Sequence, residues 1–548
     1  MLGRVKPQGS LLATSHARRH LVTKGSFYER LADNGDAFLC DDDYAHLYAP
    51  TMGRPSIPPS IMLRALLLAT YERTRSDAET SRNTRVDLDW KAAMGVEDDF
   101  PGIAPTTLSL MRARMVAADA DAKLFEKTLE KAVAAGIFGK EKLTAIIDSS
   151  PVHGAGAVSD TYELIRGFLR KAVKAAGSRL SVAATDATKG FLGEKPDIDW
   201  QDPAARKAHL GELVAAARML LAEAGTINDP GLSEATGLLA QVVLQDTEDD
   251  EAGNPKIRQG VAKDRIISTS DAEMRHGRKS ASRKFDGYKM DVMTDEASEL
   301  VLGVEIRSGN AGDGEGAAPL LEQVQAVDGI EVETLLGDMA YSDGDTRVAV
   351  EELGTELVAK VPPVTNRGLF PKTDFVIDLE ASTAICPAGV TTADARPARD
   401  HKGRPSLKFV FPAEACGPCP LRDCCTKAKH ASRTVAVGVH EARIQAARMA
   451  QADPEVKALL RRRSKVERKI DHLQDLGMDE ARYRGRRKTK LQALLAGFVA
   501  NFQRLHVLGV LRAEKGNKVH AAKVLGISRR ALYRLIRKYH LSDEDLAG

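Results

Sequence analysis

The sequence is poor in cysteine and has no long apolar run. It contains six cysteines in 548 residues, and five of them fall within residues 386–425. In a cytosolic chain these do not form a disulfide framework. The longest apolar runs, such as LRALLLA, fall short of the roughly 20 residues that cross a membrane. The N-terminus has cations but no apolar core followed by a cleavage site, so we expect no secretory signal and, by default, a cytoplasmic location.

The net charge of +3 hides an asymmetry along the chain. Residues 455–548 carry 23 lysines and arginines against ten acids, so the preceding 454 residues hold a net charge of −10. Clustered cations bind polyanions by releasing counterions from phosphates, which predicts a nucleic-acid partner for the basic end. A solvated charged helix is the simpler alternative.

Helical patterns occupy two long stretches. Residues 26 to about 130 repeat apolar positions at spacings of three and four, and the prolines of GRPSIPPS mark a helix start. A second helical stretch runs from about 160 to 245, followed by QDTEDDEAGNPK, which we predict to be an exposed acidic loop.

Between and after these stretches the pattern predicts strands. KLTAIID (142–148) is a short β-branched run, and the Pro and Gly of SSPVHGAGA predict that it ends there. FDGYKMDVMTD and ELVLGVEIRSG (285–309) predict an antiparallel hairpin, followed by a helix and by strands at 332–338 and 356–361. The expected fold is therefore α/β, a mixed sheet with insertions, in which residues 363–450 are irregular.

Carboxylates end two of these strands. Asp148 and Asp338 stand at carboxyl ends, where open α/β sheets place ligand sites. Carboxylates there hold hard divalent ions, and two such ions about 3.5–4 Å apart activate an attacking oxygen and stabilise a leaving one in phosphoryl transfer. That chemistry needs a third acid. An Asp that starts a turn or caps a helix is the alternative for each residue alone.

The third candidate is Glu467, within RRRSKVERKIDHLQ (461–474), where six cations surround two acids. On a helix, Arg463, Glu467, Asp471 and Gln474 share one face, beside an apolar stripe of Leu459, Val466, Ile470 and Leu473. An exposed pair of Glu467 with Arg463 is the simpler interpretation. Three gathered carboxylates repel one another, however, and nearby cations or bound metal must offset that repulsion.

The order of motifs resembles the DDE transposases of bacterial insertion sequences, whose catalytic core is ribonuclease-H-like. In that family the first acid ends the first strand, the second ends the fourth, and the third lies on a later helix in a context like R-x-x-V-E. TAIIDSSPV, LLGDMAYSD and RSKVER match these contexts. The resemblance covers about residues 25–505 and includes the linking motifs GRPSIPPSIMLRALLL, STSDAEMRHG, FDGYKMDV, RSGNAGDGEG and RYRGRRKTKLQALLAGFVANFQRL.

The resemblance implies that Asp148, Asp338 and Glu467 are catalytic and hold two Mg²⁺ ions, for which Mn²⁺ substitutes. The implied partners are double-stranded DNA, as transposon ends and target, and further copies of the chain in a homo-oligomer. Arg463, Arg468 and Lys469 are expected to contact phosphates. Many relatives carry a lysine seven residues after the glutamate, where this chain has Gln474, with Lys469 or Arg468 as candidates to compensate. A DNA-binding regulator with an inactivated core, or a nuclease without strand transfer, are the rival functions.

The cysteines predict a second kind of metal site. Cys416 and Cys419 form a C-x2-C knuckle, and Cys386 with either Cys424 or Cys425 completes the ligand count of a closed tetrahedral zinc site. The resemblance favours Cys425, because relatives have a cysteine directly before threonine. Reduced, unligated thiols are the alternative. Cys40 stands alone and is expected to be buried.

The last segment, LRAEKGNKVHAAKVLGISRRALYRLIRKYHL (511–541), predicts three short helices with Ser528 as an N-cap and Ala522, Leu525, Ile527, Leu532 and Ile536 inside. It resembles the Fis-type helix-turn-helix. A recognition helix enters the major groove, which nominates Arg529, Arg530 and Arg534 for bases and Lys538 for phosphate. A packing or dimerisation module is the alternative.

The expected domains are therefore a tail, a helical domain, a catalytic domain with a helical and a cysteine-bearing insertion, and the helix-turn-helix. Their expected bounds are, in that order, 1–25, 26–135, 140–505 with insertions at 155–260 and 363–450, and 506–548.

Overall fold

The computed structural model of the protein describes ten stretches of the chain. They are residues 1–4, 22–50, 53–138, 142–194, 196–280, 282–400, 403–428, 432–525, 527–538 and 541. Most of the predicted tail and the side chain of Lys538 lie outside this part, so the phosphate contact proposed for Lys538 has no structural description.

Helices build the first part of the chain, as its periodicity predicts. They are α1 (Phe27–Asn34), α2 (Pro59–Tyr71), α3 (Asp77–Val86), α4 (Leu88–Met94), α5 (Pro105–Ala117) and α6 (Ala120–Ala134). α2 begins with a proline in its first turn, where the missing N–H costs nothing, and this confirms the start predicted from GRPSIPPS. Ser26 and Ser76 cap α1 and α3 by accepting hydrogen bonds from backbone amides. The short segment Gly35–Leu47 between α1 and α2 contains two 3₁₀ turns.

A helical insertion follows the first strand, β1 (Leu143–His153). It consists of α7 (Thr161–Ala176), α8 (Val182–Lys189), α9 (Pro203–Ala224) and α10 (Pro230–Asp246), which bury an apolar cluster of their own. The acidic stretch after α10 is a hairpin of β2 (Thr247–Asp249) and β3 (Pro255–Ile257), where we expected a loop. The Asp250 carboxylate closes its turn by accepting from the amides of Ala252 and Asn254, a local hydrogen-bond pattern that polarity alone does not reveal.

The central sheet is mixed. Its remaining members, with the helices between them, are β4 (Arg275–Arg278), β5 (Lys284–Asp295), β6 (Val301–Ser308), α11 (Ala317–Gln325), β7 (Val332–Gly337), α12 (Gly344–Glu351) and β8 (Glu356–Ala359). β5 pairs antiparallel with β1, β4 and β6, whereas β7 runs parallel between β1 and β8. The α/β class and the hairpin of β5 and β6 are thus confirmed.

β1 is longer than the sequence predicts. It continues through Pro151 to His153 and stays paired with β5 over that length. The His153 amide donates to the carbonyl of Asp479, on the side away from β5. Because strand amides alternate in direction, the Pro151 nitrogen faces that same side, so the proline removes no bond to β5. The proline therefore does not end the strand, and that expectation was wrong.

The cysteine-bearing segment is more ordered than expected. It contains β9 (Val376–Asp378), β10 (Thr383–Ile385), β11 (Thr391–Thr392), β12 (Ala395–Arg399), β13 (Pro405–Val410), α13 (Ala413–Cys416), α14 (Arg422–Cys425) and β14 (Thr434–Gly438). The strands form two antiparallel sheets of three around a small core that includes Phe375, Phe409 and Phe411. Elements of two to six residues are too short to show a hydrophobic period, which is why they were predicted to be irregular.

The C-terminal helices are α15 (Glu441–Ala450), α16 (Pro454–Arg462), α17 (Ser464–Leu473), α18 (Arg486–Ala513), α19 (Lys518–Val524) and α20 (Arg529–Lys538). α18 is long and apolar enough to cross a bilayer, but 83% of its apolar window is buried, and it packs on β6, α2 and α6. It is a core helix of the protein. It also runs through residue 505, where we expected a domain boundary.

Candidate active site

The two aspartates lie side by side because of the register between β1 and β7. These parallel strands pair up to Ile146 and Leu336. Asp148 and Asp338 each stand two residues further along, at the same edge of the sheet. Asp148 thus lies within the long β1, just past its pairing with β7, and Asp338 follows the last residue of β7 and caps a short 3₁₀ turn.

Glu467 reaches the same place from α17. The helix packs on β1 and β5 through Val466, Ile470 and Leu473, the apolar stripe that its spacing predicts. The opposite side of the turn leaves Glu467 exposed. The helix is interrupted at Arg463, so Leu459 belongs to α16 and the single helix we expected is two.

All three acids line one cleft of about 410 Å³. Arg463, Asp471 and Gln474 line it too, which confirms the shared face predicted for that helix. The cleft is also lined by side chains that the sequence did not nominate, namely Ser149, Arg278, Lys279, Lys289 and Asp313.

Arg463 joins two of the acids. Its guanidinium donates to Asp148 Oδ2 at 3.1 Å and to Glu467 Oε1 at 2.8 Å. The pKa of Asp148 is raised from 3.8 to about 6, chiefly by burial; the charges of Asp338 and Glu467 also raise it, while the Ser149 amide and Arg463 lower it. The carboxylates therefore repel one another across the cleft, and Arg463 offsets part of the cost.

A second charged group supports the floor of the cleft. Asp313 accepts hydrogen bonds from Ser149 Oγ at 2.8 Å and from Lys289 Nζ at 2.7 Å. These bonds tie β1, β5 and the loop after β6 together beside Asp148. Asp313 and Lys289 fall in RSGNAGDGEG and FDGYKMDV, two motifs that carry the resemblance, and that was the one signal available for them in the sequence.

The cations after Glu467 do not face the cleft. Lys469 is 5% exposed, and burial beside Arg504 lowers its pKa from 10.5 to about 7. A buried amine cannot reach DNA phosphates. The prediction that Lys469 contacts phosphates, and that it compensates for the lysine that relatives carry at the position of Gln474, was therefore wrong. Arg468 is half-buried and pairs with the buried Glu299.

Gln474 does stand in the cleft. Its side-chain amide donates to Ser150 Oγ at 3.0 Å, within the single π turn that ends α17. The side chain therefore ties this turn to β1.

The three acids fit a hard cation by their chemistry. Oxygen ligands crowded at a sheet edge, with a raised carboxyl pKa, are what a divalent ion relieves. In the described part of the chain, no group of three His, Cys, Asp or Glu side chains is placed closely enough to hold an ion. Arg463 stands in contact with two of the three, so binding of an ion requires this side chain to withdraw.

The predicted zinc ligands share one pocket. Cys386, Cys416, Cys419 and Cys425 line one small pocket, whereas Cys424 is exposed. Cys40 is also exposed, contrary to our expectation, because its neighbours Phe38 and Leu39 fill the core at that turn.

The helix-turn-helix residues take the positions that were expected of them. The Ser528 hydroxyl accepts from the Ala531 amide at the start of α20, which confirms the cap. Ala522, Leu525, Leu532 and Ile536 are buried and Ile527 partly so. Arg529, Arg530 and Arg534 are exposed on α20.

Three family models match the chain. A model described as a transposase domain (DUF772) matches residues 16–114, a transposase DDE domain matches residues 385–506, and a bacterial regulatory protein model of the Fis family matches residues 498–539. The DDE match includes Glu467 and all five clustered cysteines, but neither Asp148 nor Asp338. No curated protein and no solved structure matches the chain. In this order the three matches identify the chain as one that carries the domains of an insertion-sequence DDE transposase with a C-terminal Fis-type helix-turn-helix.

Proposed function

We propose that the protein binds the terminal inverted repeats of its element and catalyses metal-dependent DNA strand cleavage and strand transfer. One observation carries the proposal. The register of β1 and β7 sets Asp148 and Asp338 at the same level of the sheet edge, and α17 brings Glu467 into the same cleft.

We propose further that the core has a ribonuclease-H-like fold. The order of acids supports this. Apart from the four-residue β4, the strands of the central sheet occur along the chain as β1, β5, β6, β7 and β8. Asp148 then lies on the first strand, Asp338 follows the fourth, and Glu467 lies on a later helix, which is the arrangement that the resemblance implies.

Asp148, Asp338 and Glu467 are the residues that would hold Mg²⁺, with Mn²⁺ able to substitute. Two divalent ions would supply activation of the attacking oxygen and stabilisation of the leaving one. The chain itself positions the acids: the Ser149 amide and Oγ fix the β1 side, and the Asp313–Lys289 pair holds the loop beside it. Arg463, which bonds to Asp148 and Glu467, would have to withdraw for the ions to bind, and its guanidinium would then be available to contact DNA phosphates.

The reaction needs no covalent link between protein and DNA. Water attacks the phosphodiester at the transposon end and releases a 3′-hydroxyl, and that hydroxyl then attacks a phosphodiester of the target and displaces another strand end. The second attack conserves the number of phosphodiester bonds. Each step replaces one oxygen on phosphorus by another.

DNA binding is assigned to the two ends of the chain. The N-terminal helices match a transposase domain, and α20 presents Arg529, Arg530 and Arg534 to solvent, where a recognition helix would contact bases. Synapsis of two transposon ends calls for a homo-oligomer. We retain the four expected domains as part of this proposal, with the last boundary moved beyond the end of α18.

A cleavage and joining assay tests the proposed function. The full chain is incubated with a labelled duplex that carries the element's own ends and with a supercoiled target, in Mg²⁺ or in Mn²⁺. We expect nicks at the ends in either metal and joined products in the presence of target. Specific binding without cleavage in both metals would favour the DNA-binding regulator, and cleavage without joining would favour a nuclease.

A further inference from the structure

The cysteine segment contains a small pocket that four of its five cysteines line. Its cavity measures about 30 Å³, which is room for one water-sized particle or one ion. Four cysteines line it, and Cys424, next to one of them in sequence, does not. The four are Cys386, Cys416, Cys419 and Cys425.

Three separate elements deliver these thiols. Cys386 follows β10, and its amide donates to the Val390 carbonyl at 2.9 Å, closing the turn toward β11. Cys416 ends α13, with Cys419 two residues beyond Gly417, and Cys425 ends α14. A hairpin and two short helices therefore bring four thiols to one pocket, and four is the ligand number of a closed tetrahedral zinc site.

The surrounding structure is too small to be stable by burial alone. α13 and α14 have four residues each, and isolated helices of that length are not stable in water. The core beneath them holds six fully buried residues, among them three phenylalanines. Small cores of this kind are commonly stabilised by disulfides or metal, and all the cysteines of this segment are free thiols.

Two arginines supply charge to the pocket. Arg422 and Arg433 both line it. Arg422 also donates to the Cys416 carbonyl at 2.8 Å, which fixes the knuckle. The Arg433 Nε–H is buried and has no hydrogen-bond partner, a costly state for a charged donor. Four thiolates on a divalent ion carry a net charge of −2, which two guanidinium groups offset.

We propose that Cys386, Cys416, Cys419 and Cys425 bind one structural zinc ion, with Arg422 and Arg433 balancing its charge. Binding forms four zinc–sulfur bonds and releases the thiol protons to solvent. In the described residues no three such side chains already stand at metal-binding distance, so rotation of the cysteine side chains must accompany binding. The zinc is separate from the catalytic cleft, and the inference does not depend on the proposed function.

Metal content of the full-length chain tests this inference. The protein is produced with zinc supplied, purified under reducing conditions without chelator, and analysed by mass spectrometry for zinc per chain. We expect one zinc in the unmodified protein and in Cys424→Ser, and loss of zinc in Cys425→Ser. These two adjacent positions form a matched pair, because one thiol lines the pocket and the other is exposed.

Cobalt provides a second readout that does not require the variant to fold. Co²⁺ replacing zinc in the unmodified chain should give thiolate-to-cobalt charge-transfer bands and the visible bands of tetrahedral coordination, and Cys424→Ser should keep both. A zinc-free unmodified protein, or cobalt bands of octahedral type, would overturn the proposal. Equal loss of zinc in Cys424→Ser and Cys425→Ser would overturn the assignment of Cys425, rather than Cys424, as the fourth ligand.

Discussion

Arg463 bonds to two of the three acids that would hold a metal ion, so removing its charge should strengthen metal binding. Its guanidinium donates to Asp148 at 3.1 Å and to Glu467 at 2.8 Å. An incoming cation must displace it and would otherwise be repelled by it. Arg463→Gln removes both obstacles while the carboxylates remain.

The size of the effect follows from the exposure of the partners. A charge-assisted hydrogen bond contributes about 1.5–3 kcal/mol when buried, and an exposed pair about 0.2–1 kcal/mol. The Asp148 side chain is 18% exposed, so its contact with Arg463 falls in the buried range. The Glu467 side chain is 55% exposed, so its contact falls in the exposed range. A net obstacle of about 1–2 kcal/mol corresponds to Mn²⁺ binding about 5 to 30 times tighter in Arg463→Gln.

The assay is a Mn²⁺ titration of the full chain without DNA, in which free aquo-ion is counted by electron paramagnetic resonance. Arg461→Gln is the matched control, because it removes the same charge from an exposed position on α16 outside the cleft. Screening should keep its effect within about twofold. Unchanged or weaker Mn²⁺ binding in Arg463→Gln, or equal tightening in both variants, would show that Arg463 does not oppose metal binding.

Three further variants test the charges described above. Asp148→Asn should raise the free energy of unfolding at pH 8 by at most about 3 kcal/mol, because a carboxyl pKa raised from 3.8 to about 6 means that ionisation destabilises the native state. This gain should fade toward pH 4. A gain that does not depend on pH in denaturant titrations would contradict the prediction. Lys469→Met should stabilise the protein most below pH 7 and least near pH 10, because the pKa of the folded amine is lowered to about 7. It should leave DNA affinity within about twofold, whereas a large loss of affinity in a binding titration would show that Lys469 contacts DNA. Arg530→Gln should weaken binding to the cognate site by about 1–3 kcal/mol and relax its specificity at one base pair, whereas an equal loss on all sequences would assign Arg530 to phosphate.

The sequence predicted the acids better than their surroundings. Asp338 follows its strand and Glu467 lies on its helical face as these local patterns predict, whereas β1 continues past Asp148 to His153. The alignment of Asp148 with Asp338 depends on the register of β1 and β7, which no local pattern encodes. The same holds for Asp313, whose role arises from contacts with Ser149 and Lys289 on two other elements.

Charge counting alone misjudged the basic helix. The cations near Glu467 were expected to face DNA, yet Lys469 is buried and Arg468 pairs with Glu299. Glu299, the partner of Arg468, lies 169 positions away in sequence, so tertiary packing decided which cations remained exposed. The sequence also could not show that Pro151 leaves β1 intact. Its nitrogen faces away from β5, and only the pairing of the strands reveals this.

We propose that Asp148, Asp338 and Glu467 perform the chemistry together. It is tested most directly by the rate of Mg²⁺-dependent cleavage of a duplex carrying the element's end, measured for Asp148→Asn, Asp338→Asn and Glu467→Gln beside the exposed Asp475→Asn. We expect each of the first three to lower the rate by about 10³-fold or more while end binding stays within about twofold, and Asp475→Asn to cleave at the unmodified rate. Cleavage at the unmodified rate by any one of the three, with the DNA still bound, would contradict it.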